Sequence, residues 1–121
     1  MAKLSDDARK AIAEIHPALI ATSSKSGKPN VSAKGSFKVL DDDTVIFADM
    51  NSPRTMANLK ENPQVAVIVL NPATRKGARI WGKGEILSSG PLFDQVKAEW
   101  AAKNMKVKNV VKIAVDEAFA F

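Results

Sequence analysis

Ser52, Arg54 and Thr55 are the residues whose types and spacing most readily do chemistry in this chain. They lie where an apolar run, Thr44-Val-Ile-Phe-Ala48, gives way to a short polar loop and then to Ser52-Pro53. Ser52 suits a helix N-cap, because its hydroxyl can accept a bond from an amide of the first turn. Pro53 suits the first helical position, where its missing N–H costs nothing and its φ is already helical. Arg54 and Thr55 then set a guanidinium and a hydroxyl beside unpaired amides and the positive end of the helix dipole. That combination recognises an anion, a phosphate above all. The same residues equally describe a capped surface helix with a solvated arginine, and the stretch alone leaves both readings open.

The rest of the chain offers less. His16 is the single histidine, so no Ser-His-Asp triad can be assembled. Set between a helix and Pro17, it reads as a helix-end residue, and haem ligation would need a shaped pocket around it. The absence of cysteine excludes disulfides, thiolate chemistry and cysteine-held metal sites. Asp41, Asp42 and Asp43 read as a turn, without the spaced partners of a metal site. No glycine-rich nucleotide loop is present, which argues against a dedicated nicotinamide or ATP site.

Net charge is +5, with basic residues grouped at Arg75, Lys76, Arg79 and Lys83 and again at Lys103, Lys106, Lys108 and Lys112. A small basic β-barrel binding nucleic acid is the alternative of a different class. That mode wants exposed aromatic platforms, and the chain has no tyrosine. No apolar run reaches membrane-spanning length, and the first residues lack the apolar centre of a signal peptide. A cytoplasmic protein with no membrane role is expected.

The elements that must position these groups follow from periodicity and turn residues. Leu4 to Ile15 reads as an amphipathic helix, with Leu4, Ala8, Ile12 and Ile15 on one face and Ser5 as its cap. Strands are expected at Ala18–Ser24, Asn30–Leu40 and Thr44–Ala48, the first two joined through Lys25-Ser-Gly-Lys28. Gly35 interrupts the second strand and suggests a bulge or a close approach to the backbone. The helix from Ser52 stops before Pro63. Gln64–Leu70 is nearly continuous in β-branched residues and reads as a buried central strand. Ala78–Leu87 is a further strand, a second helix runs from Ser89-Gly90-Pro91 to about Asn104, and Asn109–Val115 is the last strand. Short turns and no βαβ rhythm make this one mainly β domain over residues 1–121, an antiparallel barrel with peripheral helices.

In this order the elements resemble the FMN-binding split-barrel family, which includes pyridoxamine 5′-phosphate oxidases and small FMN-binding proteins. The resemblance spans nearly the whole chain. It is carried by Gly27-Lys-Pro29, Thr44–Ala48, Ser52-Pro-Arg-Thr-Met-Ala-Asn-Leu-Lys-Glu-Asn-Pro63 and Val65–Val69. It implies an antiparallel six-stranded split β-barrel of Greek-key type, with FMN as cofactor. Ser52, Arg54 and Thr55 would hold its phosphate, while Ser32, Ala33, Lys34, Gly35, Ala48 and Asp49 would line the ring. Lys34 near the N1–C2 edge would raise the flavin's reduction potential; by residue type alone it is equally a solvated strand lysine. Asp49 reads equally as a residue that steadies the loop or the helix start.

The resemblance also implies a homodimer with FMN in the groove between subunits, Trp100 and Phe121 lying against the partner's flavin. Phe93, Val96 and Trp100 recur at helical spacing, which by itself suggests core or dimer seam. Trp81 reads as packing. Pyridoxamine 5′-phosphate oxidases proper are longer and grip their substrate with a C-terminal segment rich in arginine and histidine. This chain ends Asp116-Glu-Ala-Phe-Ala-Phe121, so oxidation of vitamin B6 is not expected. Two roles stay open: an electron carrier serving a redox protein, or a small flavin-dependent oxidoreductase using a nicotinamide, a deazaflavin or a small acceptor. Deazaflavin or haem in place of FMN is the alternative within the same fold.

Overall fold

The computed structural model describes residues 3–121. Helix α1 (Asp6–Glu14) opens at Ser5, whose hydroxyl accepts from the Ala8 amide at 3.1 Å. Leu4, Ala8 and Ile12 are buried as the apolar stripe requires. Strands β1 (Ala18–Ser23), β2 (Pro29–Lys34), β3 (Lys38–Asp41) and β4 (Thr44–Asp49) follow, then α2 (Pro53–Glu61). The chain continues through β5 (Gln64–Asn71), β6 (Lys76–Leu87), α3 (Pro91–Ala101) and β7 (Asn109–Ala120).

There are seven strands rather than six, because the expected strand Asn30–Leu40 is cut in two at Gly35–Phe37. The reason lies in the sheet. All pairings are antiparallel and the order is β2-β1-β5-β6-β7-β4-β3, so the two halves of that segment are opposite edges. Laid flat, seven strands would separate their edges by about 29 Å. The four Cα steps from Lys34 to Lys38 span at most roughly 15 Å. The sheet must therefore curl until its edges nearly meet, which makes an antiparallel split barrel.

Phe37, 1% exposed, turns into the barrel at the crossing. Gly35 has nothing within 4 Å of where a Cβ would stand, so neither the expected bulge nor a close approach explains it.

Ile20, Phe47, Val67, Val69, Ile80, Val111 and Ile113 fill the barrel, closed at the sides by α1 and by Met56 and Leu59 of α2. A smaller core under α3 joins Ile46, Ala48, Phe93, Val96, Val107 and Val110. Strand β4 stands between the two cores, and every residue in it is buried. Strand β5, expected to be buried throughout, is buried only at alternate residues: Val65, Val67 and Val69 point inward while Leu70 is 45% exposed. α3 ends sooner than expected, and β7 runs on to Ala120.

Candidate functional site

Alternation along β2 turns Asn30, Ser32 and Lys34 toward the molecule and leaves Val31 and Ala33 outside. The first turns of α2 lie against that inner face. Thr55, 1% exposed, receives a bond from Asn30 Nδ2 at 3.3 Å and shares one with the Ser32 hydroxyl at 3.1 Å. Nearly a turn later Asn58 donates from Nδ2 to Thr22 Oγ1 on β1 at 3.1 Å. These bonds seat the helix N-terminus on the β1–β2 hairpin. Between helix and hairpin lies a cleft of about 260 Å³, with polar walls of Ser24, Lys28, Asn30, Arg54 and Asn58. Two cations line it and no carboxylate does. Hydroxyl and amide donors complete a set suited to a phosphate, and no side chain caps the helix end beside it.

The loop that feeds α2 is held by Asp49, which is 2% exposed. Its Oδ1 accepts from the Ser52 amide at 2.9 Å and from the Ser52 hydroxyl. Its Oδ2 accepts from Asn109 Nδ2 at 2.7 Å, and Asn109 Oδ1 in turn accepts from the Ser88 hydroxyl at 2.9 Å. Ser52 thus does not cap the helix as expected. Its hydroxyl is turned back to donate to a carboxylate three residues earlier, which holds the oxygen away from the amides of the first turn. Burial pushes the Asp49 carboxyl upward. The bonds from Ser52 and Asn109, with the Lys34 charge, outweigh that and hold it below its ordinary value.

Lys34 stands at the other end of the same face. Its ammonium lies 5.8 Å from the centroid of the Phe47 ring. Just beyond it, Ser36 Oγ receives the Ala48 amide at 2.8 Å and donates to the Ala48 carbonyl at 3.3 Å. That double bond ties the β2–β3 crossing to the Ala48–Asp49 end of β4. Burial lowers the Lys34 pKa, and the Asp49 charge partly restores it.

The predicted residues therefore fall into groups. Ser32 and Thr55 meet through their hydroxyls, Arg54 lines the cleft, Asp49 holds Ser52 and feels the charge of Lys34, and Ala48 is tied to Ser36; none of Lys34, Ala48, Asp49 and Ser52 lines the cleft itself. Ala33 faces outward, and Gly35 is exposed in the crossing. Trp100 packs on the smaller core that contains Ala48, with Lys103 4.5 Å from its ring centroid. Phe121 is elsewhere: it bonds to Gly77 and lines a cleft of about 500 Å³ shared with Asp7, Lys10 and Glu14 of α1. Carboxylates and lysines share that larger cleft, so it lacks the charge selectivity of the smaller one.

Lys28, Asn30 and Asn58 were missed in the sequence. Only the Lys28-Pro29 turn before a strand hinted at the first two, whose approach to Arg54 is a tertiary event, whereas Asn58 follows Arg54 by one turn of α2 and its helical spacing could have found it. His16 is exposed, its Nε2 3.0 Å from the Ala13 carbonyl. Among the described residues no three histidine, cysteine or acidic groups gather to hold a metal, and no helix is long and apolar enough to cross a membrane.

Barrel and cleft together define an antiparallel split-barrel protein with a cationic cleft between α2 and the β1–β2 hairpin. Comparison with known proteins identifies the family. The pyridoxamine 5′-phosphate oxidase family model matches residues 4–120. The uncharacterized protein MJ0282 of Methanocaldococcus jannaschii is 34% identical over 124 residues, 97% of this chain and 80% of that one. HupZ of Group A Streptococcus superposes with a TM-score of 0.88 at 26% identity, over 98% of this chain and 94% of its own. An FMN-binding protein from Syntrophomonas wolfei has the same fold at 24% identity, with a TM-score of 0.84 over 95% of this chain and 84% of its own. The chain belongs to the pyridoxamine 5′-phosphate oxidase family.

Proposed function

We propose that this protein binds FMN between two copies of the chain and works as a flavoprotein in electron transfer or as a small flavin-dependent oxidoreductase. The observation that carries this is the pair of cations, Lys28 and Arg54, in a cleft that no carboxylate lines. Bound FMN would supply a ring that takes up and gives back electrons. Arg54 and Lys28 neutralise its phosphate, Asn30 and Asn58 orient it, and Thr55 braces Asn30 while Thr22 braces Asn58. Ser32, Lys34 and the backbone near Ala48 flank the ring, where the Lys34 ammonium favours added negative charge and raises the potential.

One chain makes too small a site. A cleft of about 260 Å³ falls below the roughly 300–1,000 Å³ usual for a ligand of that size. The remaining wall comes from a second copy. The outer face of β2-β1-β5-β6-β7 carries Val31, 63% exposed, beside Leu19 and Phe119, at 44% and 45%. Leu19 pairs with Ala33 on one side and Ile68 on the other, and Trp81 lies 5.8 Å from Phe119. A monomer in water rarely leaves so broad an apolar sheet face open. Cytoplasm is the proposed compartment. The exposed lysines Lys103, Lys106 and Lys108, beside Trp100, suit an acidic redox protein or a nicotinamide nucleotide as electron partner.

The test is the visible absorption spectrum of the purified protein, with the released cofactor identified by mass. FMN supports the reading. Haem would redirect attention to His16, and a deazaflavin would keep the cleft but change the redox partner. A colourless protein that takes up no added FMN would overturn the proposal, leaving the basic barrel to be tested for nucleic-acid binding. Turnover of reduced nicotinamide with an artificial acceptor would mark an enzyme. Its absence beside fast exchange with a redox protein would mark a carrier.

A further inference from the structure

Asp49 is a buried carboxylate for which the phosphate cleft alone has no use. Three donors converge on it: the Ser52 amide, the Ser52 hydroxyl and Asn109 Nδ2. Its own carbonyl accepts from the Lys108 amide at 2.8 Å. It therefore joins the entry to α2, the start of β7 and the loop before β7. A neutral asparagine could accept the two Ser52 bonds but would set its own amide donor against Asn109 Nδ2, so Asp49→Asn removes one hydrogen bond with the charge, a loss that is the same whether or not Lys34 is present. The charge has one cation to act on across the face. Lys34 is carried beside the same end of β4 by the Phe47 ring and by the two Ser36 bonds to Ala48.

We infer that Asp49 is a positioning residue with two separable effects: its hydrogen bonds fix Ser52 and hence the start of α2 with Arg54, while its charge, acting through Lys34, sets the reduction potential of the flavin. The inference rests on the FMN reading above. In the hydrogen-bonding arm, Ser52 is held by both its amide and its hydroxyl, so Pro53 and Arg54 leave the loop in one direction only. In the electrostatic arm, the Asp49 charge attracts the Lys34 ammonium and draws it back from the ring, so that it acts on the potential by placing Lys34 and holds it below what an unattracted Lys34 would impose. The pKa shifts of the two groups, each partly caused by the other, agree with this coupling.

The experiment is a double-mutant cycle on the FMN-loaded protein with Asp49→Asn and Lys34→Ala, reading reduction potential by dye equilibration and FMN affinity by fluorescence quenching. Asp49→Asn leaves Lys34 unopposed and should shift the redox equilibrium roughly tenfold toward reduced flavin, about 30 mV for a two-electron couple. In the Lys34→Ala background the same change should shift it little. Equal shifts in both backgrounds, or none in either, would overturn the coupling.

Asn109→Ala serves if Asp49→Asn does not fold, since Asn109 is outside the cleft. FMN binding should weaken several-fold while the potential stays near that of the wild type. Unchanged affinity would overturn the positioning role. Unmodified protein that binds no FMN would overturn the FMN reading and this inference with it, whereas a flavin-loaded protein with a flat cycle overturns the inference alone.

Discussion

At the scale of single residues, position relative to neighbours decides what each polar group can do. Arg54 is exposed at the cleft and makes no hydrogen bond or ion pair within the described chain, so its loss should be felt by the ligand and not by the fold. Arg54→Ala is expected to weaken FMN binding roughly 10- to 100-fold, the value of one charge-assisted hydrogen bond. Titration by fluorescence quenching would show this, with the urea midpoint unchanged. Thr55 is the opposite case. It is buried and serves both Asn30 and Ser32, so Thr55→Val should cost about 1–3 kcal/mol in urea unfolding.

Asp49 carries a pH signature. Its folded-state pKa lies below the ordinary value of 3.8, so its stabilising contribution is complete above that value. As pH falls through the depressed folded value the carboxylate is protonated in both states and the contribution disappears. Unfolding measured from neutrality downward should show the gap between the wild type and Asp49→Asn closing below pH 3.8.

At the scale of elements, the glycines separate tight places from loose ones. Gly82 sits at the β6–β7 irregularity, where an added Cβ would stand 2.3 Å from the Ala114 carbonyl oxygen. Two backbones approach there and neither can yield cheaply. Gly82→Ala should lower thermal stability by about 1–3 kcal/mol, the usual cost of overpacking, or prevent folding. Gly35, in open space at the crossing between β2 and β3, should accept alanine with a gain of about 0.4–1 kcal/mol, because the unfolded chain loses freedom. Calorimetry on both variants would check the contrast; equal effects would mean that the crossing is more constrained than its surroundings show. The expected elements around these glycines were largely legible, since turns such as Lys25–Lys28 and starts such as Ser52-Pro53 are encoded within a few residues. The break at Gly35–Phe37 was not, because each half of that segment is a good strand locally and only sheet closure sends them to opposite edges.

At the scale of the whole molecule, the outer sheet face is the unfinished surface. Leu19 and Val31 lie outside the barrel core, so Leu19→Asp combined with Val31→Glu should leave the monomer folded while abolishing the proposed dimer. Sedimentation would show the change in mass, and flavin affinity should fall in parallel if the second copy supplies the other wall. A variant that remains dimeric would place the seam elsewhere. The sequence did not expose this face, because Val65–Val69 reads as apolar on both sides and neither composition nor periodicity says which side meets solvent.

Sequence by itself determined what depends on near neighbours: the mainly β character, the helix beginning at Pro53, the turns, the apolar run Val45–Ala48 within β4 and an arginine at a helix start. Those features follow from backbone preferences and caps acting over a few residues. Tertiary structure alone decided that Lys28 would face Arg54, that the Ser52 proton would go to Asp49, that Phe121 would lie in a different cleft, and that a curled sheet would bring its two edges together. Each of these joins groups distant along the chain or chooses among competing partners, and only the closed barrel sets which of them come within hydrogen-bonding or Coulombic reach.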